Sequence, residues 1–132
     1  MGIFGKPAAV DVSDLVAKLK QLDSTIRSVR KDLLEKKDVL SVVGYAKTFS
    51  GQLSGNLRNS KAFNTAVLDA SLELQKGLNA FINACENKLF SDTRQMKDQF
   101  NMAVITRYNS LLSQLKGCMK DTFKDFEEVP PA

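Results

Sequence analysis

The chain of 132 residues contains no histidine. That removes the commonest general base, the commonest metal ligand and every histidine-dependent nucleophile arrangement at once. Its two cysteines, Cys85 and Cys118, stand far apart and lack metal-type spacing, so they read as buried free thiols and no metal site is expected. No Gly-Lys-Ser/Thr follows a glycine-rich turn and no GxGxxG opens a helix, so the common nucleotide cradles are missing. The acids Glu127 and Glu128 are adjacent beside a proline pair, a placement that aids solubility rather than paired acid and base work. No triad or paired-carboxylate constellation assembles, and the expectation is a non-enzymatic protein without catalytic, cofactor-binding or metal-ligating residues.

Residues that bind rather than react are easier to find. Ile3 and Phe4 form a small apolar cluster followed by Lys6, a pattern suited to shallow insertion into an anionic bilayer surface or to closing one end of a core. Lysine or arginine outnumbers acid eleven to six over residues 1–61 and trails it eight to nine thereafter, within a formal net charge of +4. At about 100° per residue, Lys20, Arg27 and Lys31 share one side of a first helix, with Lys18 and Arg30 on the flanks. This basic face permits contact with an anionic membrane or with nucleic acid. Phe49, Phe63, Phe81 and Phe100 fall on apolar stripes and are expected in the core.

The elements that carry these residues follow from spacing. Asp11 and Ser13 offer caps before Leu15, Leu19, Leu22, Ile26, Val29 and Leu33, whose alternating steps of four and three make a seam facing partner helices. Lys36-Lys37-Asp38 is a candidate joint, beyond which Val39, Val42, Val43, Ala46, Phe49 and Leu53 continue at helical spacing. No Pro or Gly enforces a break there, so the first two helices are either separate or fused into one. Gly44, Gly51 and Gly55 weaken the second segment, and the polar crowd from Ser50 to Asn59 predicts a turn.

A third stripe runs from Phe63 through Val67, Ala70, Leu74, Leu78, Phe81 and Cys85 to Leu89, about 28 residues by its periodicity. Phe90-Ser91-Asp92 then supplies an N-cap. The last helix carries Met96, Phe100, Val104, Tyr108, Leu111, Leu115 and Cys118 and is predicted to end near Phe126. Glu127, Glu128, Pro130 and Pro131 predict a frayed acidic, proline-bearing tail over 127–132, as the opening 1–10 predicts an irregular start. The fold class is therefore all-α, one domain over 1–132, an elongated antiparallel bundle of about four helices. No apolar run reaches the roughly 20 residues of a membrane span and none near the start reads as a secretory signal, so a cytoplasmic, peripherally membrane-associated protein is expected.

The opening Met1-Gly2-Ile3-Phe4-Gly5-Lys6, followed by Pro7 and a basic helix, resembles the start of ESCRT-III membrane-remodelling subunits and their bacterial phage-shock relatives. The resemblance implies that Ile3 and Phe4 insert into membrane and that Lys18, Lys20, Arg27, Arg30 and Lys31 form the basic face. In helix order and spacing the remainder is similar to fungal hydrophobic-surface-binding and mannoprotein lipid-carrier domains. Three functions then compete. The first is a helical interaction or assembly protein, using its seams for itself or a protein partner, with attachment to anionic membrane or lipid as its sharper form. The others are nucleic-acid association through the basic first helix and apolar-ligand carriage between walls of Met96, Met102 and Met119.

Overall fold

The computed structural model describes residues 12–60 and 62–132. Ile3, Phe4, Lys6 and the cap expected at Asp11 lie outside the described residues. Every regular element described is helical: α1 (Val12–Leu34), α2 (Leu40–Arg58), α3 (Thr65–Glu86), α4 (Thr93–Phe100), a π-helical segment Asn101–Ile105, and α5 (Thr106–Cys118). The last three run on without a break as a fourth rod. α1 packs on α2, α2 on α3, α3 on the π segment and α5, and α4 returns to α1, which closes the bundle. Cross-links fix the antiparallel sense. Asn56 near the end of α2 donates to Asp14 near the start of α1, and Arg107 of α5 donates to the Glu73 carbonyl of α3.

All six seam residues of α1 are buried. Steps of four and three average about 3.6 residues here, the helical repeat itself, so the stripe stays on one side over about five turns. α1 and α2 are separate helices. The break is made by Lys36, at φ 60, with Lys36 N–H donating to Leu33 O and Lys37 N–H to Asp32 O. That pair of bonds around one left-handed residue is the Schellman termination, usually made by glycine. α3 ends the same way at Lys88, φ 52, with Lys88 N–H on Cys85 O and Leu89 N–H on Ala84 O. Side-chain acceptors start the next helices: Asp38 for Leu40 N–H, Asn64 for Val67 N–H and, as expected, Asp92 for Gln95 N–H.

The turn expected over Ser50 to Asn59 is not there; α2 continues to Arg58 and the chain turns over residues 59–64. Ser50 and Ser54 are buried, and Ser54 Oγ lies 3.0 Å from Ser71 Oγ of α3, so these small polar residues line a helix interface rather than a loop. α3 is shorter than its stripe: Phe63 precedes it and Leu89, 67% exposed, belongs to the following turn. Gly77 of α3 is required by close approach, because a Cβ there would lie 1.8 Å from the Ala103 carbonyl oxygen of the π segment.

Phe81 and Phe100 are fully buried and meet edge to face at 5.1 Å, whereas Phe49 and Phe63 pack on the core while half-buried. The fourth rod ends at Cys118, not near Phe126. Tyr108 stands opposite Asp23, so ten further residues bring α5 level with the start of α1 and eight more would overshoot it by roughly 12 Å. Turning at Met119 instead brings Phe123, Phe126 and Val129 back as buried members of the core. Cys118, expected in the core, is exposed because the rod stops there; Cys85 is half-buried.

Candidate functional site

The segment 127–132 is docked, which corrects the expected frayed tail. It lies as an extended strap over the face between α1 and the fourth rod, and the grip on it is directed at its main chain. Asn109 Nδ2 donates to Val129 O at 3.0 Å and Asn109 Oδ1 accepts Val129 N–H at 2.8 Å. Asn101 repeats the fork on Ala132, accepting N–H at 2.7 Å and donating to the carbonyl at 3.3 Å. From α1, Arg27 Nη2 donates to Glu127 O at 2.7 Å and Arg30 Nε to Pro130 O at 2.8 Å. Val129 is the single strap side chain that is buried.

Both asparagines reach the strap because of the π segment. Two α-helical turns take about 7.2 residues, so side chains eight apart would diverge by roughly 80°. The Thr106 N–H donates to Asn101 O, five residues back, and its hydroxyl donates to the same oxygen at 2.9 Å. This wider turn absorbs the extra residue and keeps Asn101 and Asn109 on one face.

Under the strap, Tyr108 donates its phenol hydrogen to Asp23 Oδ2, and Arg27 Nε donates to Asp23 Oδ1 at 2.7 Å. Burial first, and then the bond to Asp23, push the Tyr108 hydroxyl well above its ordinary value. The bond to Asp23 likewise raises Arg27. Both donors therefore hold their protons more firmly, and the bond to Asp23 orients Arg27 toward the strap. Beside it opens a cleft of about 390 Å³ lined by Lys20, Asp23, Arg27, Asp125, Phe126 and Glu127.

The expected basic face is thus divided. Arg27 and Arg30 are engaged with strap carbonyls, Lys20 lines the cleft, and Lys18 and Lys31 lie off it. Of the proposed ligand walls, Met96 and Met119 pack half-buried on the core and Met102 is 71% exposed. Asp23, Asn101, Tyr108 as a polar group, Asn109 and Val129 were not singled out by the sequence. One signal pointed there: Met96, Phe100, Val104 and Tyr108 follow one another by fours, and a regular helix would carry that series about 120° around its axis. Keeping it inward requires local underwinding, which the π segment provides.

Among the described residues, no group of three or more His, Cys, Asp or Glu side chains could hold a metal ion, and no helix is long and apolar enough to cross a membrane. No family model, no curated protein and no solved structure matches this chain.

Proposed function

We propose that the protein is a non-enzymatic helical interaction and assembly protein. The observation that carries this reading is the strap's seat: two asparagine forks and two arginines aimed at the main chain of an extended segment, with one buried aliphatic side chain. Main-chain recognition with one side-chain anchor is how folded domains hold extended peptides. The polar network beneath serves that grip, since its hydrogen-bonded phenol and carboxylate position Arg27.

Attachment to an anionic membrane surface is a second reading, favoured by a different observation. Leu34, the last residue of α1, and Leu89, in the turn after α3, stand 46% and 67% exposed at one end of the bundle, beside Lys36, Lys37 and Lys88. Exposed leucines next to lysines suit the boundary between headgroups and acyl chains. Nucleic-acid association draws less support, because two of its five proposed cations already serve the strap.

Light scattering over a range of concentrations tests assembly, and co-sedimentation with phosphatidylserine vesicles at low ionic strength tests attachment. Concentration-dependent oligomers support the first. A monomer at every concentration removes self-assembly, and vesicles that leave the protein in solution remove attachment. Replacing Ile3 and Phe4 with Ser should abolish vesicle binding without moving the melting temperature if they insert, and should lower that temperature if they close the bundle.

A further inference from the structure

We infer that the face between α1 and the fourth rod is a peptide-binding groove for an acidic, proline-containing extended segment of another protein, and that residues 127–132 occupy it in cis. The inference rests on the interaction reading above and names the site and the partner's chemistry.

The groove's donors and acceptors match one peptide pattern. Val129 and Ala132 are the strap residues whose N–H groups are accepted, each by an asparagine Oδ1. The two residues between them are prolines, which have no N–H to be accepted. Their side of the strap needs only donors, and Arg30 supplies one to Pro130 O and a longer one, at 3.2 Å, to Pro131 O. The positions thus read as aliphatic, Pro, Pro, then a residue with a free N–H. Only the first side chain is buried, so the fourth position is read through its backbone. Prolines hold such a segment extended before it binds, which lowers the ordering cost. The residues preceding the aliphatic position are Glu127 and Glu128. The α1 side of the cleft at Glu127 carries Lys20 and Arg27 against one carboxylate, Asp23, which is paired with Arg27, while Asp125 belongs to the chain leading into the strap. α1 thus leaves one cation in excess there. Charge complementarity therefore favours an acidic flank on the incoming peptide.

The resident strap is held so that it can leave. It has one buried side chain and a handful of hydrogen bonds at half-exposed donors, while Phe123 and Phe126 anchor the chain before it. Its release exposes the groove without opening the core, and a peptide with the same pattern takes its place. The covalently attached strap competes at an effective concentration of about millimolar, so the groove is self-blocked toward weak ligands.

The test is fluorescence polarisation with a labelled hexapeptide of the sequence of residues 127–132, on the full-length chain. Val129→Asp, which displaces the strap, should bind the peptide at least about tenfold more tightly than the intact protein. Adding Asn109→Ala to that variant should remove about tenfold of the gain, and a peptide with Asp at the valine position should not bind. Should Val129→Asp fail to fold by circular dichroism, Val129→Ala is the substitute. The intact protein gives an independent readout, because its Asn101 and Asn109 side-chain amide resonances should shift when the peptide is titrated to millimolar concentration. Equal binding by intact and strap-released protein, with silent amides, overturns the groove. Binding that survives Asn109→Ala places the peptide elsewhere and also overturns it. A strap-dependent dimer of the intact chain, with no peptide exchange, assigns the groove to a second copy instead. That last result leaves the assembly reading standing while this inference fails.

Discussion

α1 and the fourth rod are both long helices of the same bundle, yet they solve opposite problems. α1 has a stripe that matches the helical repeat, so one regular helix buries all six seam residues while Arg27 and Arg30 reach the strap from its flank. The fourth rod carries a stripe spaced too widely for a regular helix, and it meets the core only by underwinding at Asn101–Ile105. What α1 gains in regularity the fourth rod trades for a polar face that lines up on a second chain segment. A helix that fits its core perfectly makes a wall. A helix that has to bend its hydrogen-bond pattern is where this molecule presents a grip.

The largest expected effect lies at the α1 seam. Leu22→Asp or Ile26→Asp places an unpaired charge where the side chain has no solvent contact, at a cost of several kcal/mol against a total stability of about 5–15 kcal/mol. Thermal melts should show an unfolded or grossly destabilised chain. A variant that melts like the parent would mean the α1 seam is not buried.

Next comes the contact that admits the π segment. Gly77→Ala drives a methyl group into the Ala103 carbonyl, so α3 or the fourth rod must shift, at about 1–3 kcal/mol and a drop of several degrees in melting temperature. Gly55→Ala is the control from a regular helix, where a Cβ meets nothing within 4 Å and the change should stabilise by about 0.5–1 kcal/mol. If both substitutions act alike, the close approach at Gly77 is not a constraint.

Tyr108→Phe sharpens the comparison with a smaller effect, about 1–2 kcal/mol, because Asp23 loses one buried donor and keeps Arg27. It also changes the alkaline limb. The Tyr108 hydroxyl is raised in the folded state, so above the ordinary tyrosine range the unfolded chain loses a proton that the folded chain keeps. The stability it contributes is complete below about pH 10 and is lost as pH rises beyond it. Cys85, raised to about 11 chiefly by burial, adds a loss of the same sign that begins near pH 9. Denaturant melts from pH 8 to 11 should therefore decline less steeply for Tyr108→Phe than for the parent. Parallel declines would assign the alkaline loss to other groups.

The smallest expected change lies at the helix ends. Lys36 and Lys88 occupy left-handed backbone where a Cβ is disfavoured, so Lys88→Gly should raise stability by about 1 kcal/mol. A lowered melting temperature would show that the lysine side chain contributes more than its backbone costs.

These positions also mark what was legible in the sequence. The α1 seam was, because burial along a regular helix leaves a periodic trace; the joint at Lys36-Lys37-Asp38 was legible as a candidate, with a fused helix left as the alternative. The manner of the break was not, because lysine in a left-handed turn carries no compositional signal. The Ser50 to Asn59 segment misled, since serine and glycine serve close helix packing as readily as turns. The site was the least legible part. Asparagines that bind a distant backbone have no period, and Val129 among acids and prolines gives no sign of burial.

The π segment has a consequence for how this surface changes by mutation. An inserted or deleted residue in a helix acts as a phase step: everything on its far side turns by about 100° and advances by about 1.5 Å. Loss of any one residue between Asn101 and Ile105 would let the rod relax to a regular helix. The phase step and the lost bulge would cancel: Asn101 and Asn109 would then stand seven residues apart, within about 20° of each other on a regular helix, so the face keeps its alignment. Point substitutions at the strap weaken contacts one at a time; straightening the rod with every residue kept would splay the two asparagines by about 80° in one step, and a one-codon deletion inside the segment is what makes straightening tolerable.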